Sequence, residues 1–141
     1  MKKILTTLIA ALPLCAFAQQ GVIEQRQDAF SDIESIAKKT DTLLSQSEIN
    51  WLLIADNSET LKAHSEQLAT LFPQGSQSGS KAKNSVWDSP EKFQQLLSKM
   101  DEGFQTLYQA SLKQDLSAAE DGLETAQGTC RACHRSYRSR W

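Results

Sequence analysis

The stretch SAAEDGLETAQGTCRACHRSY, residues 117–137, decides how the rest of the chain is read. It opens on Ser117-Ala118-Ala119-Glu120, a capping box, and then carries Leu123, Ala126, Cys130, Cys133, His134 and Tyr137 at helical spacing. A helix is expected here. Within it, Cys130-Arg131-Ala132-Cys133-His134 is a C-x-x-C-H sequence, in which two thiols three residues apart share one helix face and an imidazole follows directly. That set suits one covalently attached haem c: each thiol adds to one vinyl group of the same porphyrin and His134 presents a nitrogen to the metal.

Other uses of a C-x-x-C pair are a redox-active dithiol, a structural disulfide and half of a zinc site. Zinc normally needs four protein ligands, and beyond these three residues the chain downstream of its leader offers only His64 and carboxylates. A thioredoxin-like dithiol belongs to a strand-helix-strand unit, and no strand signal surrounds Cys130.

At the amino end, Lys2 and Lys3 precede an apolar run from Ile4 to about Phe17, and Ala16-Phe17-Ala18 is a small-residue cleavage pattern. Residues 1–18 are therefore expected to be a signal peptide, with 19–141 the mature domain in the periplasm and no membrane span after cleavage. Cys15 falls inside the leader, so both remaining cysteines belong to the C-x-x-C-H motif. Of 141 residues, 123 remain after removal of 18, enough for one domain with one core. Without Lys2 and Lys3 there are 13 basic against 17 acidic residues, about −4 in formal charge, which points away from nucleic acid.

Hydrophobic periodicity is helical along the whole domain. A first helix carries Ile23, Arg26, Phe30, Ile33, Ala37 and Leu44, and a second carries Leu53, Leu61, His64, Leu68 and Leu71. Pro73 to Asp88, with Gly75, Gly79, several serines, Lys81 and Lys83, reads as a polar loop without packed regular structure. Ser89-Pro90 restarts a helix bearing Phe93, Leu96, Leu97, Met100, Phe104 and Leu107. Four helices with one long connection predict an all-α, antiparallel four-helix bundle with the haem attached to its C-terminal helix.

The residues now resemble a family, the cytochromes c′ and their class II c-type relatives, which carry the haem motif at the carboxyl end of such a bundle. The resemblance rests on Arg26-Gln27 followed by Phe30, Phe72-Pro73, Val86-Trp87, and the C-x-x-C-H motif with Tyr137-Arg138 after it. It spans essentially the whole mature chain.

Arg26 lies on an apolar seam between Ile23 and Phe30, where a guanidinium needs a partner because an unpaired buried charge is costly. A haem propionate would supply one, and the resemblance assigns that contact to Arg26 and extends it to Gln27. An arginine that lays its stem on the core and reaches water or a glutamate is the alternative. Lys81 and Lys83 read as solvated loop lysines. The resemblance also sets Arg138, four residues after His134, beside the proximal ligand. The other arginines of the last helix, Arg131, Arg135 and Arg140, suit the negative end of the helix dipole or an acidic redox partner.

Phe30 sets the subtype. Relatives with methionine at the matching position resemble six-coordinate, low-spin electron carriers, whereas phenylalanine cannot ligate. Met100 among Leu96, Leu97 and Phe104 reads as core, and His64 as a core or interface histidine. The expected function is a five-coordinate haem protein that binds nitric oxide or carbon monoxide and also transfers electrons to a periplasmic redox partner. The alternative is a six-coordinate electron carrier. No positioned acid-base pair accompanies the distal residue, so an enzyme is not expected. Relatives pair through their first two helices, which implies a homodimer with Trp51 as a contact.

Overall fold

A computed structural model describes residues 14–140, so residues 1–13, most of the expected signal peptide, lie outside the described residues. Helix α1 spans Leu14–Leu44, α2 Trp51–Leu68, α3 Ser85–Asp88, α4 Pro90–Lys113 and α5 Leu116–Tyr137. The four long helices form an antiparallel four-helix bundle in which α1 packs on α2 and α5, and α4 packs on α2 and α5. Ile54, Leu61, Leu68, Phe104, Leu107, Ala119 and Ala126 sit at its fully buried centre.

The seam of α1 runs Ile23, Arg26, Ala29, Ile33, Ala37, Thr40 and Leu44, all buried. Phe30 is not on it. A step from 26 to 29 keeps the side chain on the core stripe, and the small Ala29 allows close packing there, while Phe30 turns about a hundred degrees further round and is 37% exposed. In α2 the same correction applies: Ile54 is buried and Leu53 faces outward.

The closest helix contact is between α4 and α5. A Cβ added at Gly103 would stand 2.6 Å from the Ala126 nitrogen and 2.7 Å from the Gly122 oxygen, and one at Gly122 would stand 2.6 Å from the Leu107 nitrogen. The two helices touch backbone to backbone at that crossing. Between them, Gln114 ends α4 in the left-handed region with φ 55°, and Asp115 follows in extended conformation. The Asp115 carboxylate accepts from the Ala118 nitrogen at 3.1 Å, so Asp115 caps α5 and Ser117 lies inside the helix. The expected capping box at Ser117 is thus displaced by two residues. Ser89 does precede α4 with Pro90 in its first turn, but its hydroxyl makes no capping bond.

The connection from 73 to 88 is more ordered than its composition suggests. It contains α3, whose Val86 and Trp87 are buried, and the Trp87 Nε1 donates to the Phe72 and Pro73 carbonyls at 3.1 and 3.0 Å. Ser76 is wholly buried. These contacts fold the loop back over the end of the bundle where α5 finishes.

Candidate haem site

The last turns of α5 carry Cys130, Cys133 and His134, and neither thiol is in a disulfide. Cys133 is half-buried and His134 exposed. Burial pushes the Cys133 thiol up to about 11, with Cys130 adding to the effect, and desolvation also raises Cys130 at the more open edge of the same face. Both thiols are held protonated at neutral pH. A redox dithiol needs the opposite, a thiolate stabilised by nearby positive charge. Among the described residues no group of three or more His, Cys, Asp and Glu side chains is placed to hold a metal ion, so the two thiols and the imidazole of the motif do not converge on one bare ion. Those donors fit a haem joined through two thioethers and fall short of a structural zinc site.

Beside this face stands a wall of five aromatic rings drawn from α1, the turn after α2, α3, α4 and α5. The Phe93 centroid lies 5.2 Å from Tyr137 and 4.7 Å from Phe72, and Phe72 lies 6.4 Å from Phe30 and 6.2 Å from Trp87. Tyr137 is one helical turn after His134, so the wall reaches the motif directly. A flat apolar cofactor suits such a surface. Phe72 and Phe93 were legible as apolar residues, but their meeting with Tyr137 depends on the loop folding back.

Arg26 is buried, as its seam position required. Its Nη1 donates to the Leu71 carbonyl at 3.3 Å and to the Ser76 Oγ at 3.1 Å, and its Nη2 donates to the Ser76 carbonyl at 2.6 Å. The guanidinium also lies over Phe72 and Trp87, 4.9 and 5.7 Å from their centroids. Its partners are therefore neutral loop groups, and among the described residues no carboxylate pairs with it. Desolvation holds its pKa below the usual arginine value. A positive charge thus remains uncompensated within an aromatic box, an environment that favours an added anion. Gln27, one step round the helix, is exposed.

Arg138 caps α5 in extended conformation and pairs with Ala82 as an antiparallel bridge. The Lys83 nitrogen donates to the Tyr137 carbonyl at 2.9 Å and the Ser139 nitrogen to the Lys81 carbonyl at 2.8 Å, while Lys83 Nζ donates to the Arg135 carbonyl at 3.1 Å. Loop and chain end are therefore tied together. The tie borders an open cleft of about 900 Å³ lined by Lys81, Lys83, Arg131, His134, Arg135, Arg138, Ser139 and Arg140. The loop lysines, read as merely solvated, share this cleft with His134.

Two other expected residues lie elsewhere. Met100 is buried in the bundle core, and His64 is half-buried with its Nε2 3.6 Å from Asp32 across the α1–α2 contact.

The sequence family described as Cytochrome C' matches residues 21–138. The cytochrome c′ of Rhodospirillum rubrum is 24% identical over 98% of both chains. Cytochrome c-554 of Cereibacter sphaeroides is 32% identical over 74 residues, covering 50% of this chain and 48% of that protein, so the chain spans about half the length of that relative. Among solved structures, a nitric oxide complex of a cytochrome c′ variant from Alcaligenes xylosoxidans superposes with a TM-score of 0.79 at 22% identity, covering 87% of this chain and 97% of that one. With the family matched from α1 to the end of α5, this chain belongs to the cytochrome c′ family, whose members carry a covalently attached c-type haem.

Proposed function

We propose that this chain is an exported haem protein that binds nitric oxide or carbon monoxide at an open coordination position and passes electrons as an overlapping role. The observation that carries this reading is the meeting, at one end of the bundle, of a C-x-x-C-H helix with an aromatic wall whose Phe30, Phe72 and Phe93 rings carry no ligating group. Cys130 and Cys133 would hold the cofactor, and His134 would offer a ring nitrogen to its iron. The bound haem supplies reversible one-electron chemistry and a site for a diatomic gas.

The chain's own residues do the selecting. Phe30 has no lone pair to ligate with and no donor to steady bound dioxygen, so it covers the distal side as an apolar guard. Met100 is locked into the core and His64 is engaged beside Asp32, which supports an open sixth position. Arg26 fastens the loop to α1 and offers its remaining positive charge to a propionate, with exposed Gln27 at the rim. Arg138 leaves α5 in extended conformation but lines the same cleft as His134, from which it would tune the bonding of that ligand. The nitric oxide complex of the Alcaligenes protein supports the choice of ligand class. The sequence features of residues 1–18 support export to the periplasm, and among the described residues no helix is long and apolar enough to cross a membrane. A homodimer through α1 and α2 is the proposed assembly, with half-buried Trp51 and exposed Leu52 and Leu53 at its contact.

Extraction with acid and organic solvent tests the attachment, and spectra of both oxidation states test the coordination. The haem should stay with the protein, and both spectra should be high-spin, with ready uptake of nitric oxide. Haem released into the solvent phase overturns the attachment. A low-spin ferrous spectrum at neutral pH, reverting to high-spin in His64→Ala or Met100→Leu, overturns the open site and makes the chain a six-coordinate electron carrier.

A further inference from the structure

Six of the chain's 15 Lys and Arg residues line the cleft around His134, from the loop on one wall and the end of α5 on the other. Leaving aside Lys2 and Lys3 of the expected leader, seven basic residues stand against 17 acidic ones over the rest of the molecule. The cleft is therefore a cationic patch on an otherwise acidic chain. No carboxylate among the described residues lines the cleft. Among the described residues, none of Lys81, Arg131, Arg135, Arg138 and Arg140 has an ion-pair partner. Glu34 on α1 faces His134 and Arg138 from outside the cleft, but it accepts a hydrogen bond from Lys38 Nζ at 2.6 Å. The charges also sit on a fixed frame, because the loop is bonded to the chain end through Lys81, Lys83, Tyr137 and Ser139.

Resting on the haem reading above, we propose that this cleft is the docking face for an acidic redox partner, a protein that presents a cluster of Asp and Glu side chains to the end of α5. Its size and openness suit a protuberance of a protein surface better than a single oxyanion, and like charges spread along two walls act over the distances at which steering operates. The acidic remainder of the chain repels the same partner and so orients the encounter. An anionic membrane is the poorer occupant. The exposed large apolar residues Phe30, Leu52, Leu53, Leu112 and Leu116 are not among those lining the cleft, so among the described residues its walls carry no large apolar anchor.

The test uses the haem-loaded protein and a short poly-glutamate peptide as the probe. Lys81→Gln, Arg135→Gln and Arg140→Gln are combined in one variant that leaves Cys130, Cys133 and His134 unchanged. Lys39→Gln, Lys99→Gln and Lys113→Gln are combined in a control with the same loss of charge. The peptide should bind the parent and the control alike, weaken steeply with added salt, and bind the cleft variant about tenfold less tightly. Equal binding by variant and control overturns the proposal. So does stoichiometric displacement of the peptide by inorganic sulfate, which marks a small-anion site, and so does capture by phosphatidylglycerol vesicles without peptide binding. Attachment and spin state are read on the same preparations, so failure of the haem reading appears in the spectrum and failure of the docking face appears only in binding.

Discussion

Phe30 and Arg26 stand four residues apart on α1 and do opposite things. The ring of Phe30 leaves the core stripe to join the aromatic wall, where it offers carbon and no lone pair. Phe30→Met should place a thioether on that side and convert the resting spectrum from high-spin to low-spin, with slower carbon monoxide uptake because sulfur must leave first. An unchanged spectrum and an unchanged rate would mean that residue 30 does not face the ligand site. Arg26 turns inward and spends its donors on the Leu71 and Ser76 carbonyls and the Ser76 hydroxyl. Arg26→Leu strands those buried acceptors and removes the cation from Phe72 and Trp87, so a loss of about 1 to 3 kcal/mol is expected in chemical denaturation. A midpoint potential that shifts as well would support the propionate contact; a shift in stability alone would confine Arg26 to holding the loop. That Arg26 needed a partner was legible in the sequence, since a charge on an apolar stripe has to be compensated. Which partner was not legible, because the acceptors include two main-chain carbonyls that side-chain identity does not report.

At the scale of elements, the periodic helices were legible and their ends were not. Ser117 and Glu120 satisfy the spacing of a capping box, yet the left-handed Gln114 brings Asp115 to the cap first. Asp115→Ala should cost about 1 kcal/mol in thermal or denaturant unfolding, while Ser117→Ala should change little; the reverse order would restore the capping box. The loop between α2 and α4 was misread for a related reason. Glycine and serine content marks exposure on average, but Ser76 is buried by Arg26 and Trp87 is pinned by two carbonyls, which are long-range effects. The α4–α5 crossing was equally hidden, since Gly103 and Gly122 matter only in each other's presence. Gly122→Ala would press a methyl group against the Leu107 backbone at 2.6 Å and the Gly103 oxygen at 2.8 Å. Backbone cannot swing aside as a side chain can, so the helices must separate, and destabilisation by about 1 to 3 kcal/mol is expected. Gly128, with open space where its Cβ would go, is the control, and Gly128→Ala should be neutral or slightly stabilising.

Across the whole molecule, one continuous apolar core contains two assemblies that depend differently on the cofactor. The central core of Leu61, Leu68, Phe104, Leu107, Ala119 and Ala126 is closed by the four helices alone. The aromatic wall of Phe30, Phe72, Phe93 and Tyr137 is built at the end of the bundle from α1, the loop, α4 and α5, and Phe30 keeps part of its ring in solvent. The haem motif belongs to the second assembly, which explains why bundle and motif could both be read from sequence although the wall linking them could not. Cys130→Ser combined with Cys133→Ser, which prevents attachment, should therefore leave the far-ultraviolet circular dichroism helical, because the central core does not involve these residues. The melting temperature should fall, since a covalently held apolar group that packs only on the folded chain stabilises it and is now missing. The weakening should also be local. Amide exchange should speed up in the last turns of α5, from about Cys130 onward, and in the loop tied to it through Lys81 and Lys83, while Leu61 and Leu107 keep their protection. Uniform loss of protection across all four helices would show that the haem is part of the one cooperative core, and that the separation into two assemblies is wrong.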